Sequence, residues 1–203
     1  MSLTKQSKVL TKDQIATMST FLRSKRNGLR NQTIFYLSVL SGLRSKEISL
    51  LSYKHILTPT NEIGNQINLT NDVSKGKNGG RIIPIHKQLK QNLIELYNIH
   101  KTKPHFSVHT SFVIQSEKQP FFTAQSITNI FQSFYKRLGF NGCSSHSGRR
   151  TFITNTAKKI HLVGGTLKDI QYLSGHSSIQ TTQRYIEGDT QSQNKVINLL
   201  DYK

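Results

Sequence analysis

The chain has 203 residues, and its 28 lysines and arginines outnumber its 10 aspartates and glutamates, which gives a formal net charge of +18. A chain of this length forms one domain, or two small ones, with enough residues to bury a core. The hydrophobic fraction of 34% and the helical periodicity of several segments exclude wholesale disorder. The excess positive charge favours a polyanionic partner, either nucleic acid or an anionic membrane, over the substrates of a metabolic enzyme.

The sequence also excludes several locations and site types. No apolar run approaches the roughly 20 residues that span a bilayer, and the polar first ten residues do not resemble a secretion signal. Cys143 is the only cysteine, so an internal disulfide and a multi-cysteine zinc site are excluded. His100, His105 and His109 have no acidic residue or cysteine beside them, and we expect no metal site there. These observations predict a cytoplasmic protein that faces DNA or RNA.

The N-terminal part of the chain reads as three helices. Thr11 and Gln14 have the spacing of a capping box, and the helix that they begin is predicted to run to about Lys25 and to stop before Gly28. A second apolar stretch ends at Gly42, a residue suited to a left-handed helix end. A third, shorter helix is predicted to follow from Ser45.

The middle of the chain reads as a small sheet between helices. Proline, asparagine and glycine interrupt residues 56–85 and leave short runs at 66–70 and 81–85, so we predict an antiparallel sheet of two or three strands. Helical periodicity returns from Lys87 and is strongest from Ile127 to Leu138.

The C-terminal part reads as a further series of helices. They are predicted to begin at Ser144 or Ser145 and run through Phe152, to span Leu167 to Leu173, and to extend from a cap at Ser177 or Ser178 to Tyr185. The predicted fold class is therefore mainly α (α+β), with one small antiparallel β-sheet.

Three clusters combine glycines, helix starts and polar side chains. Arg44 follows Gly42, with Glu47 one turn later; His146 and Arg149 are three residues apart; and Gly175-His176 precedes Tyr185. Taken singly, each cluster is typical of a solvated helix face or a half-buried tyrosine. A helix start also suits an anion, which favours a phosphate near His146 and Arg149.

Taken together and in this order, the clusters resemble the signature of the tyrosine recombinases, the phage-integrase family. The similarity runs from about Thr11 to Ile186 and is densest at residues 146–152, 173–176 and 181–186. It implies the family's helical catalytic domain with a small antiparallel sheet over residues 11–186. Residues 1–10 would be a short lead and residues 187–203 a tail, with no separate N-terminal core-binding domain.

The resemblance also implies a role for each residue of the signature. Tyr185 would attack a DNA phosphate, because a phenolate can conserve the phosphodiester energy in a covalent bond. Arg44 and Arg149 would clamp the phosphate oxygens, His146 would act as general base, and His176 would donate a hydrogen bond to the phosphate. Glu47 matches an acidic family position and would orient the first arginine.

A hairpin lysine supplies the proton for the leaving 5′-oxygen in this family. The resemblance points to Lys75, and Lys77 stays open as the alternative because the turn is slightly longer than usual. Basic residues around the site are expected to contact neighbouring DNA phosphates: Lys77, Arg81, Arg150 and Arg184. Neither a metal nor a cofactor is expected.

The function implied is site-specific DNA recombination through a 3′-phosphotyrosine and a Holliday junction. Two alternatives remain open at this point: relaxation of supercoils in the manner of a type IB topoisomerase, and a non-catalytic protein that assists a full-length recombinase. The expected partners are double-stranded DNA and either further copies of the chain, as a tetramer on DNA, or a partner recombinase. Residues 187–203 either dock on a neighbouring protomer or fold back on their own core. No membrane is expected, and the location would be cytoplasmic, on the nucleoid.

Overall fold

The computed structural model describes residues 7–74, 80–117, 119 and 121–185. Lys75, Lys77 and residues 187–203 lie outside the described residues, so the predictions made for them remain predictions.

The fold is mainly helical, and the two strands lie between the third and fourth helices, as predicted. The helices are α1 Lys12–Arg23, α2 Gly28–Val39, α3 Ser45–Leu50, α4 Lys87–His100, α5 Ala124–Arg137, α6 Ser147–Lys159, α7 Leu167–Ser174 and α8 Ile179–Gln183. The strands are β1 Gln66–Leu69 and β2 Arg81–Pro84, and short 3₁₀ turns lie at Tyr53–His55 and Ile160–Val163. The strands pair antiparallel, with Ile67 opposite Ile83.

Local signals explain where most helices begin and end. The capping box at Thr11 is present, since its hydroxyl accepts from the backbone N–H of Gln14 and its own N–H donates to the Gln14 side chain. By contrast, α6 begins at Ser147, later than predicted, because Ser144 and Ser147 bond each other in a separate turn first. It also continues past Phe152 to Lys159, a length that the weak amphipathic pattern of its sequence did not indicate.

The core forms around α2, which is buried along almost its entire length. Helices α1, α4 and α6 pack around it, while α3 packs against α5. This arrangement brings the C-terminal end of α2, the start of α3 and the first turn of α6 to one end of the molecule. Strand β2 packs against α7 at the same end. Among the described residues, no helix is both long enough and apolar enough to span a bilayer.

Candidate active site

The signature side chains meet at the end of the molecule where α3 and α6 begin. Arg44 precedes α3, His146 precedes α6, Arg149 lies in the first turn of α6, and His176 and Tyr185 flank α8. A cavity of about 350 Å³ opens there, and it is lined by Ser7, His146, Arg149, Arg150, Thr181, Arg184 and Tyr185.

Arg149 is the more deeply held of the two predicted clamps. Its guanidinium donates to the carbonyl of Gly42 at 2.6 Å and to the carbonyl of Ser174 at 2.5 Å. Burial, and then the positive charge of Arg44, lowers the pKa of Arg149 to about 9, so it stays charged at neutral pH. Two carbonyls fix the plane of the fork, which leaves a preorganised cation for an anion in the cavity.

Arg44 is more accessible and is held by a carboxylate. Its Nη1 lies 3.0 Å from Glu47 Oε1, its Nη2 donates to the Gly175 carbonyl at 3.1 Å, and its backbone N–H donates to Glu47 Oε2 at 2.8 Å. The last bond caps the first turn of α3, because Glu47 stands at the third position of that helix and reaches back to the residue that precedes it. The same carboxylate therefore starts the helix and orients the arginine.

Glu47 is almost completely buried, with 1% of the residue exposed. Burial alone would raise its pKa, but hydrogen bonds and charges from Arg81 and then Arg44 outweigh that effect and hold the pKa of this carboxyl below its usual range. Glu47 is thus an anion between two arginines.

The structure does not place Arg81 on a DNA-facing surface, contrary to the prediction. Only 2% of its side chain is exposed, and its guanidinium forms a paired bond with Glu47 and a third bond to the Leu173 carbonyl. The side chain points inward because Arg81 alternates along β2 with Ile82, which is exposed. The sequence showed a basic residue beside a hairpin but not which face of the strand it occupies.

His176 and Tyr185 lie against each other. Their ring centroids are 5.6 Å apart with an interplanar angle of 21°. Burial, and then the charges of Arg149, Arg44 and Arg81, lowers the pKa of His176 to about 4, so its imidazole is neutral at pH 7. His176 Nδ1 lies 2.9 Å from the hydroxyl oxygen of Thr182, a buried residue of α8 to which sequence reasoning gave no role. The one feature of the sequence that pointed to Thr182 was its position three residues before Tyr185.

The remaining predicted residues stand at the rim of the cavity. His146 is exposed at the start of α6, and the Arg150 guanidinium lies 5.7 Å from the centre of the Tyr185 ring. Arg184 is exposed and lines the same cavity. Ser7 was also missed by sequence reasoning, and its hydroxyl bonds that of Ser144 at 2.6 Å, just before α6.

Within the part of the chain that the structure describes, no three histidine, cysteine, aspartate or glutamate side chains gather as a metal site. The groups assembled here are instead buried cations, a neutral imidazole, an exposed histidine and a tyrosine hydroxyl. That combination suits attack on a phosphate diester by an oxygen nucleophile.

Comparisons with known proteins agree on one family. The model of the phage integrase family matches residues 8–192. The tyrosine recombinase XerC of Chlamydia pneumoniae is 30% identical over 81% of this chain, and XerC of a Staphylococcus epidermidis strain is 27% identical over 89%. Those matches cover 49% and 57% of the two relatives, so the chain spans about half the length of the curated relatives it matches.

Solved structures share the fold at lower identity. The Tn1549 transposon integrase, in complex with a circular intermediate DNA, matches 98% of this chain and 67% of its own length, with a TM-score of 0.74 and 21% identity. The XerA recombinase matches all of this chain and 66% of its own length, with a TM-score of 0.73 and 18% identity.

Proposed function

Since the chain belongs to the phage integrase family, we propose that it is a site-specific DNA recombinase that cuts and rejoins strands through Tyr185. The observation that supports this most directly is the convergence of the family's signature side chains at one end of the molecule, where His146, Arg149 and Tyr185 line one cavity and Tyr185 stacks on His176. The signature residues come from four separate segments of the chain: Arg44, the pair His146 and Arg149, His176, and Tyr185.

In the proposed reaction, the hydroxyl oxygen of Tyr185 attacks the phosphorus and the bond to the 5′-oxygen breaks. His146 takes the phenolic proton, and the departing 5′-oxygen receives a proton from Lys75 or, in the alternative assignment, Lys77. The products are a 3′-phosphotyrosine and a free 5′-hydroxyl. Attack by the 5′-hydroxyl of a partner strand then releases the tyrosine, so the bond energy is conserved and no external energy source is required.

The clamps act on the charge that develops during this attack. The pentavalent transition state carries more negative charge on the non-bridging oxygens than the ground state does, and the guanidiniums of Arg44 and Arg149 are already fixed to receive it. His176 would donate to the same phosphate. Its neutral state at pH 7 is suited to this, because an imidazole that accepts at Nδ1 carries its proton on Nε2.

Strand exchange requires more than one active site, so we propose that the protein works on double-stranded DNA as a tetramer or together with a partner recombinase. The relatives named as tyrosine recombinases support recombination over simple relaxation or a purely accessory role. A nucleoid location follows from the same proposal.

A covalent trap on DNA of random sequence tests the function and finds the recognition site at the same time. The protein is incubated with a pool of duplexes that have a randomised core and a nick in one strand, so that cleavage near the nick releases a short fragment and prevents rejoining. We expect a covalent adduct that survives denaturation, whose tryptic peptide carries DNA on Tyr185. Sequencing the trapped DNA then yields a defined probe duplex.

Two phenylalanine substitutions serve as the matched pair. Tyr185→Phe should abolish the adduct, whereas Tyr172→Phe, at an exposed tyrosine of nearby α7, should preserve it. An adduct that persists in Tyr185→Phe, or wild-type protein that binds the pool without ever forming an adduct, would refute the proposed function.

A further inference from the structure

Arg81 has partners for every nitrogen of its guanidinium. Nη1 donates to Glu47 Oε1 at 2.9 Å, Nη2 donates to Glu47 Oε2 at 3.1 Å, and Nε donates to the Leu173 carbonyl at 3.0 Å. The arginine and the carboxylate are both almost fully buried. A buried bidentate pair of this kind has fixed geometry, because each oxygen of the carboxylate is matched to one donor of the fork.

Glu47 passes this geometry on to Arg44. Each carboxylate oxygen that Arg81 binds also accepts from Arg44, Oε1 from the guanidinium at 3.0 Å and Oε2 from the backbone N–H at 2.8 Å. The Arg44 side chain is the more accessible partner, with 26% of it exposed. Its position therefore depends on a carboxylate whose own position is set from behind by Arg81.

A second set of contacts joins Arg44 and Arg81, together with Arg149, to the end of α7. Three consecutive carbonyls there each accept from a different guanidinium: Leu173 from Arg81, Ser174 from Arg149 and Gly175 from Arg44. The C-terminal end of a helix carries partial negative charge and free carbonyls, so it suits cations. Arg81 is the member of this set that the sheet contributes.

Arg81 also affects the charge balance of the group that it forms with Glu47, Arg44 and Arg149. Arg44, Arg81 and Arg149 supply three positive charges and Glu47 one negative charge, so the group carries a net charge of +2. Without Arg81, the Glu47 carboxylate would pair with Arg44 alone and neutralise the positive charge of this more exposed arginine. An unbalanced buried carboxylate also draws its remaining partner toward itself, away from an incoming phosphate.

We propose that Arg81 is a positioning residue for the cleavage reaction: by holding the Glu47 carboxylate, it keeps the Arg44 guanidinium in place and its charge available to the scissile phosphate. This inference rests on the proposed function. Arg81 itself touches neither DNA nor the reacting atoms in this arrangement.

The first test measures single-turnover cleavage of the trapped probe duplex at saturating protein. We expect Arg81→Gln to cleave about 100-fold more slowly than wild type, a loss similar in size to removal of one donor from a preorganised anion site. Arg81→Lys, which keeps the charge but not the fork, should fall between the two. The affinity of each variant for the probe should stay within about threefold of wild type, because the changed side chain is buried.

Two further measurements separate positioning from general support of the fold. If Arg81 acts through Glu47, the variant Glu47→Gln/Arg81→Gln should be no slower than Glu47→Gln alone, since interacting residues are not additive. A probe with a methylphosphonate at the cleaved position lacks one charged oxygen and needs less clamp charge. The Arg81→Gln defect should therefore shrink on that probe, whereas a merely structural defect would be equal on both.

The outcomes distinguish the two proposals. Wild-type protein that never forms an adduct refutes the proposed function and the inference with it. If wild type forms the adduct and Arg81→Gln cleaves at the wild-type rate, the inference alone is refuted. It is also refuted if the loss of cleavage rate in Arg81→Gln is equal on the normal and the methylphosphonate probes and adds fully to the loss in Glu47→Gln. If thermal unfolding shows that Arg81→Gln does not fold, the double variant, which removes both charges of the Arg81–Glu47 pair, is compared with Glu47→Gln instead, and a slower double variant refutes the inference.

Discussion

At the scale of single residues, the site is built from side chains whose partners are fixed within the protein itself. Arg149 is held by two carbonyls, Arg44 by Glu47 and a carbonyl, and His176 by the hydroxyl of Thr182. Preorganised groups of this kind lower a barrier because they need not be reoriented as charge develops. Thr182 is the least obvious of these partners, since it lies on α8, three residues before Tyr185, and bonds a histidine outside that helix.

Thr182 provides a test at this scale. Thr182→Val keeps the shape of the side chain but removes the hydroxyl, so His176 loses the bond that fixes its ring. We expect cleavage of the probe duplex to slow about tenfold, as for the loss of one buried hydrogen bond, with DNA affinity unchanged.

Thr182→Ser is the control because it keeps the hydroxyl and removes only a methyl group. Its cleavage rate should remain near that of wild type. Equal rates for the valine and serine variants would show that the bond to His176 does not matter for the reaction.

At the scale of elements, α7 is the part that organises the arginines. The helix is short, yet three carbonyls at its end hold three guanidiniums, and it ends in Gly175 with φ of +59°. A side chain at that position would be strained by the backbone and would place its Cβ 2.7 Å from Nη1 of Arg81. The helix end therefore requires glycine for two separate reasons.

Gly164 allows these two reasons to be tested separately. It also has a left-handed backbone, φ +73°, but among the described residues no atom beyond its own chain neighbours lies within 4 Å of its Cβ position. Gly175→Ala and Gly164→Ala should each lower the free energy of unfolding by about 1 kcal/mol from backbone strain. Only Gly175→Ala should also slow cleavage, by about tenfold or more, because it displaces Arg81. Thermal unfolding and single-turnover cleavage measure the two effects, and equal cleavage by both variants would contradict this role of the helix end.

At the scale of the whole molecule, the net charge of +18 far exceeds what the cavity uses. Glu47 offsets only one of the three positive charges of Arg44, Arg81 and Arg149, and most of the remaining charge lies on exposed basic side chains. Under the proposed function, these exposed side chains supply most of the long-range attraction to DNA. Arg184 and Arg26 are exposed arginines at two different places on the molecule. Arg184 is exposed at the cavity rim, whereas Arg26 lies beyond the other end of α2 and pairs with Glu117.

Salt dependence of binding tests this division. Binding of the Tyr185→Phe protein to the probe duplex should weaken steeply with added salt, with a slope of log Kd against log salt of about 4 or more, because each neutralised phosphate releases counterions. Adding Arg184→Gln should reduce the slope by about one, and adding Arg26→Gln should not change it. Fluorescence anisotropy measures both, and a flat salt dependence would contradict the role assigned to the surplus charge.

The sequence predicted most of the helices, a small antiparallel sheet of two or three strands, and the family, because these depend on local patterns. Capping boxes, apolar periodicity and glycine positions act within a few residues, and the order of the signature residues can be read along the chain. The late start of α6 was missed because two serines compete with the helix for its first hydrogen bonds.

The tertiary structure alone decided which charges face the cavity and which are buried behind it. Arg81 and Arg184 are equally basic in the sequence, yet one is paired with Glu47 inside the molecule and the other is exposed at the cavity rim. The partners of Arg81, Glu47 and Leu173, are distant along the chain, so no local pattern indicates them. Burial and pairing of a charged side chain depend on long-range packing, and that packing places Arg81 inside the molecule, against Glu47, instead of on the surface.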